Sequence, residues 1–132
     1  MSITIKRDLG GKMRHAIAIG KHALVADEPP EHGGEDSGPT PHDLYDAALG
    51  ACKALTMTGY AQRKGFPLQD VEVTIKRDAA AEREGVYRLR ALVSLGGELS
   101  EDQREALLAV ASRCPVHKLM TRVTTEIATV WR

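Results

Sequence analysis

Aromatic residues are scarce in this chain: one Trp, one Phe and three Tyr among 132 residues. That excludes the stacked aromatic platform on which single-stranded nucleic acids are usually bound. An excess of either charge is also lacking. Eighteen basic and eighteen acidic side chains cancel, so no net field draws the protein to nucleic acid or to a membrane surface. No apolar run approaches the roughly 18 residues of a membrane span. The opening MSITIKRDLGG has neither the apolar core nor the cleavage site of a secretory leader. The resulting expectation is a cytoplasmic protein with no nucleic-acid or membrane partner. Gly-rich phosphate loops, G-x-S-x-G and H-E-x-x-H are all missing. Cysteine is reduced to two residues, Cys52 and Cys114. In a reducing compartment such a pair does not serve as a permanent staple, so the thiols are either inert or reactive. The length suits one domain, residues 1–132, or one subunit of a tight dimer.

What is present is a legible series of elements. Ser2–Arg7 and Arg14–Ile19 alternate apolar and polar residues and predict strands, separated by a turn at Gly10 and Gly11. His22–Ala26 predicts a third. The stretch DEPPEHGGEDSGP is rich in Pro, Gly and acid and predicts a surface loop, of a length often given to function. A long helix follows. Thr40 is a good N-cap, Pro41 suits the first helical position, and Asp43 completes a capping-box spacing. Arg63 and Lys64 sit in the last turn and Gly65 ends it. Between them Leu44, Ala47, Ala48, Ala51, Cys52 and Leu55 recur at spacings of three and four, and Ala, Gly and Thr on several sides predict a helix packed closely on more than one side. Val71–Arg77 and Val86–Leu95 predict a hairpin, with Val71, Val73 and Ile75 inward on the first strand. Ser100 and Gln103 mark the start of a second helix. Pro115 marks a new helical start with Cys114 as its N-cap. The β-branched run Thr121–Trp131 predicts a final strand. Strands and helices do not alternate strictly, so the fold class is α+β, with long helices on one face of curved antiparallel sheet.

A thiol reacts as the thiolate, and apolar burial disfavours that form. The helix itself gives Cys52 no cation: Ala48, Leu49, Leu55 and Thr56 are its neighbours one turn away. Lys53 is adjacent in sequence and expected to point elsewhere. The helix start is ten residues back, roughly 15 Å, too far for its dipole. An activating cation must come from elsewhere, with Arg14 and His42 as candidates. At Cys114, the backbone donors of a helix start would favour a thiolate, and His117 lies one turn on in CPVH. Three readings stay open on these residues alone: two inert core thiols, a redox pair, or a metal site of Cys52, Cys114 and His117. The last is poorly supplied, because structural zinc takes four ligands, usually in two local pairs.

The segments GPTPHDLYDAALGAC, TGYAQRKGFPLQDVEV and SRCPVHKLM, with the two thiols 62 positions apart (52 to 114), resemble the OsmC/Ohr family of thiol-dependent hydroperoxide reductases. The resemblance covers the chain from about Asp27 to its end. It implies an intertwined homodimer, a long helix backed by sheet from both subunits, and no metal or other cofactor. It also implies that Cys52 is oxidised by a hydroperoxide, that Cys114 resolves the product as a disulfide, and that an external dithiol restores both. The family's activating Arg and the Glu that holds it map onto Arg14 and onto the position after Pro41, which here is His42. Asp43 has its capping role. Leu49, Leu55 and His117 would line a dry pocket for a greasy hydroperoxide. His42 in the Glu position marks a divergent branch. The competing reading is a non-catalytic redox-sensing or apolar-ligand-binding protein on the same fold.

Overall fold

The computed structural model describes all residues, 1–132. Its contacts gather into two compact units, Met1–Asp46 and Ala47–Arg132, described here in turn.

The N-terminal unit is an antiparallel three-stranded meander of β1 (Ile3–Arg7), β2 (His15–Ile19) and β3 (His22–Ala26). The register places Ile5 opposite Ile17 and Ile17 opposite Leu24. Of the apolar residues in these strands only Ile17 is fully enclosed; Ile3 and Ile5 remain more than half exposed. The Pro- and Gly-rich segment after β3 is not structureless. It carries a 3₁₀ turn at Pro30–His32 and closes around the carboxylate of Asp27, which is buried. That carboxylate accepts from the backbone N–H of Glu28, Glu35 and Ser37 and from the Ser37 hydroxyl. Donors converging on one carboxylate favour its ionised form. The Ser37 hydroxyl and then its N–H hold Asp27 down from 3.8 to about 2, against the opposing effect of burial. Gly34 permits the closure, because a Cβ there would lie 1.8 Å from the Glu28 carbonyl oxygen.

The C-terminal unit is built on α1 (Pro41–Lys64), whose first turn belongs to the other unit. The expected capping box is present: Asp43 N–H donates to Thr40 Oγ1 at 3.1 Å and Thr40 N–H to Asp43 Oδ2 at 3.0 Å. Gly65, at φ 69°, ends the helix, and the Phe66 N–H returns to Ala61 O. The strands β4 (Val71–Asp78) and β5 (Arg88–Leu95) form an antiparallel hairpin with Val73 opposite Val93. The inward alternation runs as the sequence predicts. β5 starts two residues later than predicted, because the Val86 N–H turns back to Ala81 O. The helix α2 (Glu101–Ala111) opens on the Ser100–Gln103 capping box, and α3 (Pro115–Arg122) opens on Cys114 with Pro115 at its first position. Met57 and Ala61 of α1 and Leu107 and Ala111 of α2 make the core, flanked by Val71, Val73, Val93 and Leu95.

Two points differ from the sequence pattern. The recurring set Leu44, Ala47, Ala48, Ala51, Cys52 and Leu55 is not the enclosed stripe of α1. That stripe runs through Asp46, Leu49, Gly50, Lys53, Met57 and Ala61, while Ala47, Ala48, Ala51 and Leu55 are exposed. Both sets have helical spacing, and hydropathy favours the one without the charged residues. Gly50 sits on the true stripe because a Cβ there would stand 3.1 Å from Ile75 Cγ1. The final strand is also absent: Thr121 and Arg122 close α3, and Val123–Arg132 joins no sheet. β-branched residues favour extended backbone, but a strand needs a neighbour to hydrogen-bond, and this chain offers the segment none.

Two outcomes test the Asp27 closure. Gly34→Ala forces a backbone shift and should cost at least about 1 kcal/mol, read as a lower urea midpoint. Because the Asp27 carboxyl is held below its usual value, its contribution is complete above pH 3.8 and is lost as pH falls toward about 2. Acid titration of Asp27→Asn should lack that part of the transition.

Candidate functional site

Cys52 lies halfway along α1, beside the buried stripe and only partly covered. Its sulfur has two close polar neighbours. Thr56 Oγ1, one turn on, is at 4.0 Å. The backbone N–H of Val116 donates to Sγ at 3.4 Å. Val116 is the second residue of α3, where no carbonyl of the same helix is available to its amide, so the free donor end of α3 is turned onto Cys52. This corrects the expectation for Cys114. Cys114 does occupy the N-cap, but its side chain makes no capping hydrogen bond. The amide that a helix start offers goes to the other thiol. Cys114 is fully buried, and both cysteines are unpaired.

The residue beside Cys52 does point elsewhere, and into the protein. Lys53 retains only 5% of its exposure. Its ammonium donates to Ala111 O at 2.8 Å and to His117 Nδ1 at 3.0 Å. Ala111 ends α2, where carbonyls without helical partners carry partial negative charge and attract a cation. Consecutive helical residues face different ways, and Lys53 reaches Ala111 and His117 rather than the Cys52 sulfur. The direction it takes is set by α2 and α3, which are remote in sequence. The detectable signal was its spacing: Lys53 is four residues from both Leu49 and Met57, on the stripe that is enclosed.

His117 therefore presents Nδ1 as an acceptor. Burial, then the Lys53 charge, then that of Arg122, hold its basicity below the ordinary imidazole value of 6.5.

The remaining candidates are placed as follows. Leu49 is buried, whereas Leu55, on the opposite side of α1, is 71% exposed. Arg14 and His42 belong to the N-terminal unit. Arg14 Nε donates to Asp8 Oδ2 at 2.8 Å, and this hydrogen bond raises the Arg14 basicity further. His42 lies in the exposed first turn of α1. No group of three or more His, Cys, Asp or Glu side chains is gathered as a metal site requires, which leaves the reading of Cys52, Cys114 and His117 as metal ligands without a ligand set. No helix is long and apolar enough to cross a membrane.

The depressed His117 basicity makes a prediction. The folded protein resists a proton that the unfolded chain accepts, so this residue's contribution to stability is whole above pH 6.5 and declines as pH falls below it. His117→Gln keeps an acceptor for Lys53 without titrating. Its urea midpoint should fall less than that of the wild type between pH 8 and pH 5.5.

Comparison with known proteins agrees with this arrangement of elements. A Psychrobacter arcticus protein named for an osmotic stress induced and detoxification response superposes with a TM-score of 0.77 at 16% identity, over 92% of this chain and 89% of that one. An OsmC like protein from Mycoplasma pneumoniae gives 0.73 at 19% identity, over 92% and 87%. The organic hydroperoxide resistance protein OsmC of Legionella pneumophila gives 0.65 at 25% identity, over 92% and 90%. No curated protein matches in sequence. The family model for OsmC-like protein matches residues 34–128, a span that includes both thiols, the whole of α1 and the helix start at Cys114; the chain belongs to the OsmC-like family.

Proposed function

We propose that the protein is a thiol-dependent hydroperoxide reductase in which Cys52 is the peroxidatic residue and Cys114 the resolving one. The observation that carries this reading is the hydrogen bond from Val116 N–H to Cys52 Sγ. It seats a helix start against one thiol, and the residue heading that helix is the other. A backbone N–H aimed at sulfur is the kind of donor that favours a thiolate. In the proposed cycle the Cys52 thiolate attacks one peroxide oxygen, the O–O bond breaks, and the alcohol leaves after taking a proton. Cys52 is then a sulfenic acid. Cys114 attacks that sulfur, water leaves, and a disulfide forms. An external dithiol exchanges with the disulfide, returns both thiols, and is itself oxidised. The likeness to the Legionella hydroperoxide resistance protein supports the substrate class. Dependence on a dithiol suits a cytoplasmic setting.

The same proposal includes a homodimer. Three apolar surfaces support it: the small-residue face of α1 with Leu55, the exposed Ile3 and Ile5 of β1, and the C-terminal segment with Ile127, Val130 and Trp131. Monomers seldom leave such surfaces uncovered. A second copy laid on α1 would enclose Leu55 and complete an apolar pocket beside Cys52, with His117 near its edge. The family match runs through the boundary between the two compact units, which favours one OsmC-like domain over residues 1–132.

The alternative, a non-catalytic protein that binds an apolar ligand or senses redox state, is favoured by two observations. The Arg14 guanidinium is engaged with Asp8, and His42 rather than an acid follows Pro41. Consumption of cumene hydroperoxide and hydrogen peroxide with a dithiol reductant separates the two. The proposal expects turnover that prefers the organic peroxide and falls at least about a thousandfold, some 4 kcal/mol of barrier, in Cys52→Ser. Equal rates in the two proteins would sink it.

A further inference from the structure

We propose that Lys53 is a positioning residue: its buried ammonium ties the end of α2 and the first turn of α3 to α1, and thereby holds the Cys114–Val116 segment against Cys52. The inference rests on the dithiol reading for its role in turnover, but its geometry stands without it.

Two adjacent residues of α1 grip the same connection. Cys52 Sγ takes the Val116 N–H at 3.4 Å. Lys53 Nζ donates to Ala111 O at 2.8 Å and to His117 Nδ1 at 3.0 Å. Between Ala111 and His117 the chain leaves one helix and enters the next, and Cys114, fully buried, lies midway. The connection's own backbone hydrogen bonds run back into α2, from Ser112 N–H to Leu108 O and Arg113 N–H to Val110 O, or on into α3, from Lys118 N–H to Cys114 O, and none of these joins one helix to the other. Pro115 lacks an N–H, and the Cys114 side chain makes no cap. The two ends of the connection are therefore fixed to one ammonium.

A merely structural role is a poor explanation for Lys53. It stands on the enclosed stripe between Leu49 and Met57, where an apolar side chain would avoid the cost of dehydrating a charge. Neither of its two hydrogen-bond partners carries a negative charge, so Coulomb attraction to a formal anion does not offset that cost at these contacts. What the ammonium offers instead is three directed donors. They can bridge a helix-end carbonyl and an imidazole at once, which no apolar residue does. Disulfide closure requires the two Cα atoms within roughly 7 Å and correctly oriented. Such a step depends on the placement of the Cys114 segment directly, and the first oxidation depends on it through the Val116 N–H that faces Cys52 Sγ.

The experiment uses the full chain, reduced, in wild type, Lys53→Met and His117→Leu, with Ile17→Ala as a control that loosens the N-terminal unit instead. Iodoacetamide labelling of Cys114 is followed by peptide mass spectrometry. Closure of the Cys52–Cys114 disulfide is followed with diamide, whose azo bond takes up two electrons and two protons as the two thiols join. The expected result is at least tenfold faster labelling of Cys114 and at least tenfold slower closure in Lys53→Met, with a smaller change of the same sign in His117→Leu and none in folded Ile17→Ala. With cumene hydroperoxide, Cys52 sulfenic acid trapped by dimedone should form more slowly in Lys53→Met, because the Val116 N–H is held less firmly against Sγ, and should persist longer once formed. Wild-type labelling and closure in folded Lys53→Met would overturn the inference. Should that variant fail to fold, wild-type labelling in His117→Leu would overturn it instead. A wild-type protein inert to hydroperoxide but closed by diamide would defeat the peroxidase proposal and leave this one standing. If diamide closes nothing, the resolving role of Cys114 fails, and the labelling alone decides on Lys53.

Discussion

One face of α1 has to be enclosed along most of its length, and the C-terminal unit is assembled to do so. Met57 and Ala61 meet Leu107 and Ala111 of α2, while Gly50 lets Ile75 of the hairpin come within a distance that a Cβ would crowd. Burial of this apolar surface is the main stabilising term available to so small a unit. The same face carries Lys53, so the enclosure that stabilises the unit also removes an ammonium from water. The fold accommodates it by turning the carbonyl end of α2 and the imidazole of His117 toward it.

The placement of the thiols follows from that constraint. Cys52 stands next to the enclosed stripe, at its edge, where it is partly covered and still reachable. Pro115 stops any continuation from α2 and starts α3 in a new direction, and the amide freed at that start meets Cys52. A helix terminus brings directed N–H donors and partial positive charge to a sulfur without placing a full cation against it. The polar neighbours of the Cys52 sulfur are this backbone N–H and the Thr56 hydroxyl.

The local signals in the sequence were sound wherever one stretch of chain decides its own conformation. The capping boxes at Thr40 and Ser100, the stop at Gly65, the alternation of β4 and the helix start at Pro115 depend on residues within a few positions of one another. They could be read without knowing the fold, and the family resemblance was legible from the same segments. The strand expected over Thr121–Trp131 was not decided locally. Its β-branched residues specify an extended preference, but a ladder requires a partner, and that requirement lies outside the segment.

The amino-acid sequence by itself determined the α+β order of elements, the two thiols and their spacing, and the ends of the helices, because each rests on short-range sterics and hydrogen bonding. Tertiary structure alone decided which face of α1 is enclosed, since two sets of residues share the helical period and only packing against α2 and the hairpin selects between them. It also decided that the first-turn amide of α3 serves Cys52 rather than Cys114, and that Lys53 is turned inward. Those contacts join residues more than fifty positions apart, and their direction is fixed by how helices α1, α2 and α3 are set against one another.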